Sequence, residues 1–159
     1  MTPSVLLLQG AAVTVSLLGY LLLARAAFAS GLRIDAGQGA TLASIAILYG
    51  WWLSPIAAAT SGIRGAFPAL VVLDVLWVFL GQGVAGIVFC ALPFCPDFAP
   101  WSDVVRYGSL VLGAAAAWTA WRRYRAMPGP AQWAPAVTAL VLVVISFALQ
   151  AANAKFPAQ

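Results

Sequence analysis

The stretch 68–92 reads PALVVLDVLWVFLGQGVAGIVFCAL, and its 25 residues carry a single formal charge, Asp74. As a helix rising 1.5 Å per residue it would extend about 37 Å, enough to cross the roughly 30 Å hydrocarbon core of a bilayer. Four further apolar stretches share the chain, at about 4–24, 40–60, 104–121 and 134–153. The 159 residues include eight Lys and Arg and four Asp and Glu, and of these Asp74 alone falls well inside a stretch. Backbone amides and carbonyls in hydrocarbon must be satisfied internally, and these Ala- and Leu-rich runs lack the alternation of a barrel strand. The expected fold class is therefore all-α, a polytopic integral membrane bundle of five transmembrane helices.

Composition points the same way. A chain that is 64% hydrophobic and 8% charged, with a mean hydropathy of +0.97, has too little polar surface to cover a water-soluble globule of 16.6 kDa. The gaps between stretches are too short for a separate soluble unit, so residues 1–159 are read as a single transmembrane helical domain. The net charge of +4 comes from basic residues scattered among connectors, with one cluster, Arg122, Arg123 and Arg125, directly behind an apolar run. That pattern suits a membrane surface with anionic headgroups and sets topology; it does not suit nucleic acid.

Along the chain, Ala27-Phe28-Ala29 before Ser30 resembles a signal-peptidase site. The apolar run ahead of it has no basic n-region and is longer than an h-region, so the first stretch is expected to stay as a span. A linker with Arg25, Arg33, Asp35 and Gly37-Gln38-Gly39 leads to the second stretch, where Pro55 should kink or end the helix. Pro68 suits the first turn of the third span, Ser102 the N-cap of the fourth, and Asp103 the positive end of its dipole. Trp101 and Trp121, 20 residues apart, would sit about 30 Å apart at opposite interfaces. The Lys and Arg tally on the two sides is nearly balanced, with Arg64 and the arginine cluster on one and Arg25, Arg33, Arg106 and Lys155 on the other. Placing the dense cluster in the cytoplasm puts the N-terminus inside, and a bacterial-type inner or cytoplasmic membrane is the expected location.

Asp74 is the first candidate site, because a carboxylate within a span is costly and faces a cavity, a partner charge or protein interior. It could carry a proton or bind a cation; equally, it could make a helix-packing hydrogen bond or pair with Arg64. Gln82, eight residues on, would lie about 80° around an α-helix from it, with Gly81 and Ala85 on the same broad face. Trp77, one turn from Asp74, is placed to cover whatever the acid binds, while the other tryptophans fall near span ends. The run Gly81-Gln82-Gly83-Val84-Ala85-Gly86 matches a dinucleotide-binding pattern literally but lacks the strand-to-helix setting that pattern needs. Gly81, Gly83 and Gly86, with Gly108 and Gly113 in the fourth stretch, instead offer thin surfaces for helix packing.

Cys90 and Cys95 flank Pro93 at a spacing that fits neither a redox C-x-x-C pair nor a zinc site; a short disulfide and two free thiols both remain open. The chain has no histidine and no glutamate, which removes haem His ligation, His-based general bases, carboxylate di-metal sites and Ser-His-Asp triads. No catalytic residue, metal or cofactor is expected, and a bound lipid or pigment is left open, since apolar contacts alone can hold either. The expected function is non-catalytic: an accessory or structural subunit in contact with the lipid bilayer and with other membrane subunits or further copies of itself. The alternative is a small proton- or cation-coupled translocator that uses Asp74, and a third reading, ranked below both, is a membrane enzyme acting on a hydrophobic substrate through Asp74 or Arg106.

Overall fold

A computed structural model describes residues 3–29, 35–85, 87 and 101–153, and these form helices with no strand among them. α1 spans Pro3–Ala29, so the signal-peptidase-like residues Ala27 to Ala29 are helical. α2 spans Ala36–Thr60 and starts four residues before the apolar stretch. The reason is a capping box: Asp35 Oδ1 accepts from the Gln38 amide at 2.9 Å, and the Asp35 amide donates to Gln38 Oε1 at 3.2 Å. Pro55 does not end α2, which continues to Thr60. It ends instead in a Schellman turn, with Gly62 at φ +78° donating to Ala59 O and Ile63 donating to Ala58 O.

The third rod begins as α3 (Ala66–Val72), with Pro68 in its first turn, and passes directly into a π-helical segment, Leu73–Val84. Here the rungs run i→i+5, as in Ala85 N–H to Leu80 O. Most π-helices are single turns, so a segment of this length is unusual. Burial follows the wider winding: Leu73, Val78 and Gly83, five apart, are all buried. α4 (Trp101–Ala126) carries Asp103 in its first turn and Arg123 and Arg125 in its last, as the helix dipole favours. Ser102, expected as the N-cap, lies inside α4, whose first described residue is Trp101. α5 (Ala134–Asn153) completes the set.

Four of the five rods are long and apolar enough to cross a membrane: Ser4–Leu22, Ala36–Thr60, Ala66–Val84 and Ala134–Asn153. α4 is long enough but less apolar, since Arg106, Tyr107 and a tryptophan- and arginine-rich end dilute its Ala and Leu content.

The third rod is the centre of the bundle. Its α3 half packs on α2, α4 and α5, and its π half on α1, α4 and α5; around it α1 pairs with α4 and α2 with α5. Phe67, Leu70, Leu73, Trp77 and Val78 of this rod are fully buried, facing Leu48 and Trp52 of α2 and Ala116 and Ala120 of α4. At one end, Arg64 lies 4.5 Å over the Tyr124 ring and donates to Pro130 O at 2.8 Å, while the Gly65 amide donates to Gln132 Oε1 at 3.2 Å. These contacts join the α2–α3 turn to the α4–α5 loop. At the other end Asn153 donates to Thr41 Oγ1 at 3.2 Å, joining the end of α5 to the start of α2.

Candidate functional site

Asp74 has no exposed surface, and its partner is Gln9 of α1, equally buried. Gln9 Nε2 donates to Asp74 Oδ2 at 2.7 Å and reaches Ala116 O of α4 at 3.5 Å, so one carboxamide joins three rods. A pair with Arg64 is not formed, because that guanidinium is held by Tyr124 and Pro130 at the end of the bundle. Gln9 belongs to a regular buried stripe of α1, Val5, Gln9, Ala12 and Ser16, spaced at helical intervals. The signal that could have found it is the carboxamide itself, which interrupts an otherwise apolar run on its buried face.

A second polar layer lies toward the Asn153 end. Gln82 Nε2 donates to Ser16 O at 2.9 Å, and Ser16 Oγ shares a hydrogen bond with Tyr49 Oη. Trp77 Nε1 donates to that same Tyr49 oxygen at 3.3 Å. Tyr20 stacks on Trp77 with ring centroids 5.5 Å apart and donates to Gln150 Oε1 at 3.1 Å; Gln150 in turn donates to Ser146 O at 3.2 Å. Gln82 therefore does not share a site with Asp74. Their partners, Ser16 and Gln9, are seven residues or about 10 Å apart along α1. Trp77 belongs to the aromatic layer, packed between Tyr20 and Phe147. Trp52 is buried in the bundle and stacked on Tyr49 at 5.8 Å.

Three successive residues of the π segment serve three helices. Gly81 faces Phe147 of α5, Gln82 faces Ser16 of α1, and Gly83 faces Leu110 of α4. Gly113 of α4 lies against the backbone of Asp74 and Phe79, and Gly108 is more loosely placed near Val15. Gly86, Cys90 and Cys95 lie outside the described residues. Arg122, Arg123 and Arg125 are exposed at the end of α4.

Four buried oxygens along the interface of α1, the third rod and α4 have no hydrogen-bonding partner among the described residues: Gln9 Oε1, Asp74 Oδ1, Gln82 Oε1 and Ser109 Oγ. Among the described residues no three His, Cys, Asp or Glu side chains converge as metal ligands would. The seam is thus a set of helix ties with spare acceptors. Tyr49 is the busiest hydroxyl in it, and Tyr49→Phe is expected to lower stability by roughly 0.5–1.5 kcal/mol for each hydrogen bond lost. Thermal unfolding in detergent micelles would read this as a lower midpoint with unchanged helical content.

What fold and site together define is a class: an all-helical protein, over its described residues, with four membrane-capable helices and an enclosed polar seam. No protein family, curated protein or solved structure matches the chain.

Proposed function

We propose that this is an integral membrane protein in which all five rods cross the bilayer, and that it serves without catalysis as an accessory or structural subunit packed against other membrane proteins. The observation that carries the reading is the use made of the one buried acid: Gln9 clasps Asp74 and Ala116 so that α1, the third rod and α4 are held together. An acid used as a clasp is spent on architecture. Inclusion of α4 is supported by its packing along both α1 and the third rod and by the uncharged run 107–121 between Arg106 and the arginine cluster. The outward faces carry exposed Leu140, Val144 and Ile145 on α5 and Ile47 and Leu53 on α2, surfaces suited to lipid or to apolar partners. The arginine cluster, the α2–α3 turn and the N-terminus share one end of the bundle, which is assigned to the cytoplasm.

Extraction in mild detergent is expected to recover the chain in a large assembly with other polypeptides; migration as a lone homo-oligomer would overturn the subunit reading. Retention in membranes washed at high pH tests insertion, and release into aqueous buffer would overturn it.

The unpartnered acceptors Asp74 Oδ1, Gln9 Oε1 and Ser109 Oγ favour a second reading, a proton- or cation-coupled translocator with Asp74 as the coupling group. In liposomes that reading requires a flux that Asp74→Asn abolishes. Unchanged flux in the variant would remove Asp74 from any transport step.

A further inference from the structure

The outer surface of the bundle has a shallow apolar groove of 310 Å³ between the third rod and α4. Val71, Val75 and Phe79 form one wall. Ala114 and Ala117 leave the other side thin, and Trp118 and Trp121 border it, with Trp118 62% exposed. At helical spacing the α4 side of this groove continues beyond Trp121 into charge. Arg122 is four residues after Trp118 and Arg125 four after Trp121, so both lie on or beside the groove face, whereas Arg123 points to the opposite side of the helix. Side chains on a helix lean toward its N-terminus, which inclines Arg122 and Arg125 back over the groove. Both are exposed, and neither has an acidic partner among the described residues; Asp35 and Asp103 belong to the other end of the bundle and Asp74 is enclosed.

We infer that this groove and the two arginines form a binding site for one anionic glycerophospholipid, an acyl chain lying against Ala114 and Ala117 and the phosphate meeting Arg122 and Arg125. The parts suit that ligand in order along α4. Small residues admit a chain, indoles sit at the level where hydrocarbon gives way to headgroups, and guanidiniums bind phosphate oxygens in a bidentate fork. The inference rests on α4 crossing the bilayer, as proposed above.

Native mass spectrometry of the full-length protein, released from detergent with phosphatidylglycerol or phosphatidylcholine added, tests it. The wild type should retain phosphatidylglycerol preferentially. Exchange of both Arg122→Gln and Arg125→Gln should weaken that binding by roughly tenfold, whereas Arg123→Gln, with the charge changed on the other face, should leave it intact. Ala114→Phe should fill the groove and reduce retention of both lipids. Equal loss from Arg123→Gln, or unaltered binding in the groove-filled variant, would overturn the site. So would a dimer that Ala114→Phe dissociates, since the groove would then hold a second copy. Brominated acyl chains separate this failure from that of the membrane reading. If they quench the Trp118-dependent fluorescence without headgroup preference, the site is overturned and insertion stands; if no brominated lipid quenches it, both fall.

Discussion

Replacing Gly113 with leucine is expected to force α4 away from the third rod and to leave little of the native bundle. A Cβ at this position would stand 3.0 Å from the Asp74 carbonyl oxygen and 3.0 Å from the Phe79 amide nitrogen, and both are backbone atoms that cannot step aside. Relief requires the two rods to separate, and α4 is the rod that packs most extensively on the π segment. Overpacking of a filled interior costs about 1–3 kcal/mol even when side chains can adjust. Here the backbone must shift, so Gly113→Leu should lie at or beyond the upper end. Gly10 is the matched control: nothing lies within 4 Å of a Cβ there, so Gly10→Ala should be neutral or gain roughly 0.5–1 kcal/mol from helix propensity. Unfolding midpoints of the two variants in the same detergent give the comparison. A Gly113→Leu protein as stable as the wild type would show that the close approach of α4 to the third rod does not matter.

Gln9→Leu is the second large effect. It removes the donor to Asp74 Oδ2 and leaves a fully enclosed carboxyl group with no partner among the described residues. An orphaned buried polar group costs about 1–3 kcal/mol, and more if it carries charge. Replacing both partners is a different matter, because an apolar pair of similar shape can be nearly neutral. The double variant Gln9→Leu with Asp74→Leu should therefore recover most of the stability that Gln9→Leu alone loses. A double-mutant cycle on unfolding free energies measures this coupling. Additive losses would show that the two side chains do not work as a pair, and would take away the observation on which the subunit reading stands.

The helical stretches were legible because hydropathy is local, while their ends are set by caps that hydropathy does not register. Asp35 and Gln38 form a capping box inside what read as a linker, so α2 starts earlier than its apolar run. Asp74 announced itself as the one charge within a stretch. Its partner did not, since Gln9 is uncharged and 65 residues away, whereas the nearby Arg64 offered a more obvious choice. Burial of Trp52 was not legible either, because its partner Tyr49 is set only by how the rods pack.

Sequence alone decided that the described chain is helical and rich in membrane-capable segments, because some twenty consecutive apolar residues carry that property wherever they sit. It also decided that a single acid would be enclosed among them. The i→i+5 winding of Leu73–Val84 and the division of Gly81, Gln82 and Gly83 among three neighbouring helices came only with the tertiary structure. So did the clasp of Asp74 by Gln9. Winding and pairing depend on what surrounds a helix on all sides at once, and a central rod settles into the turn that lets its backbone and polar groups meet all of its neighbours.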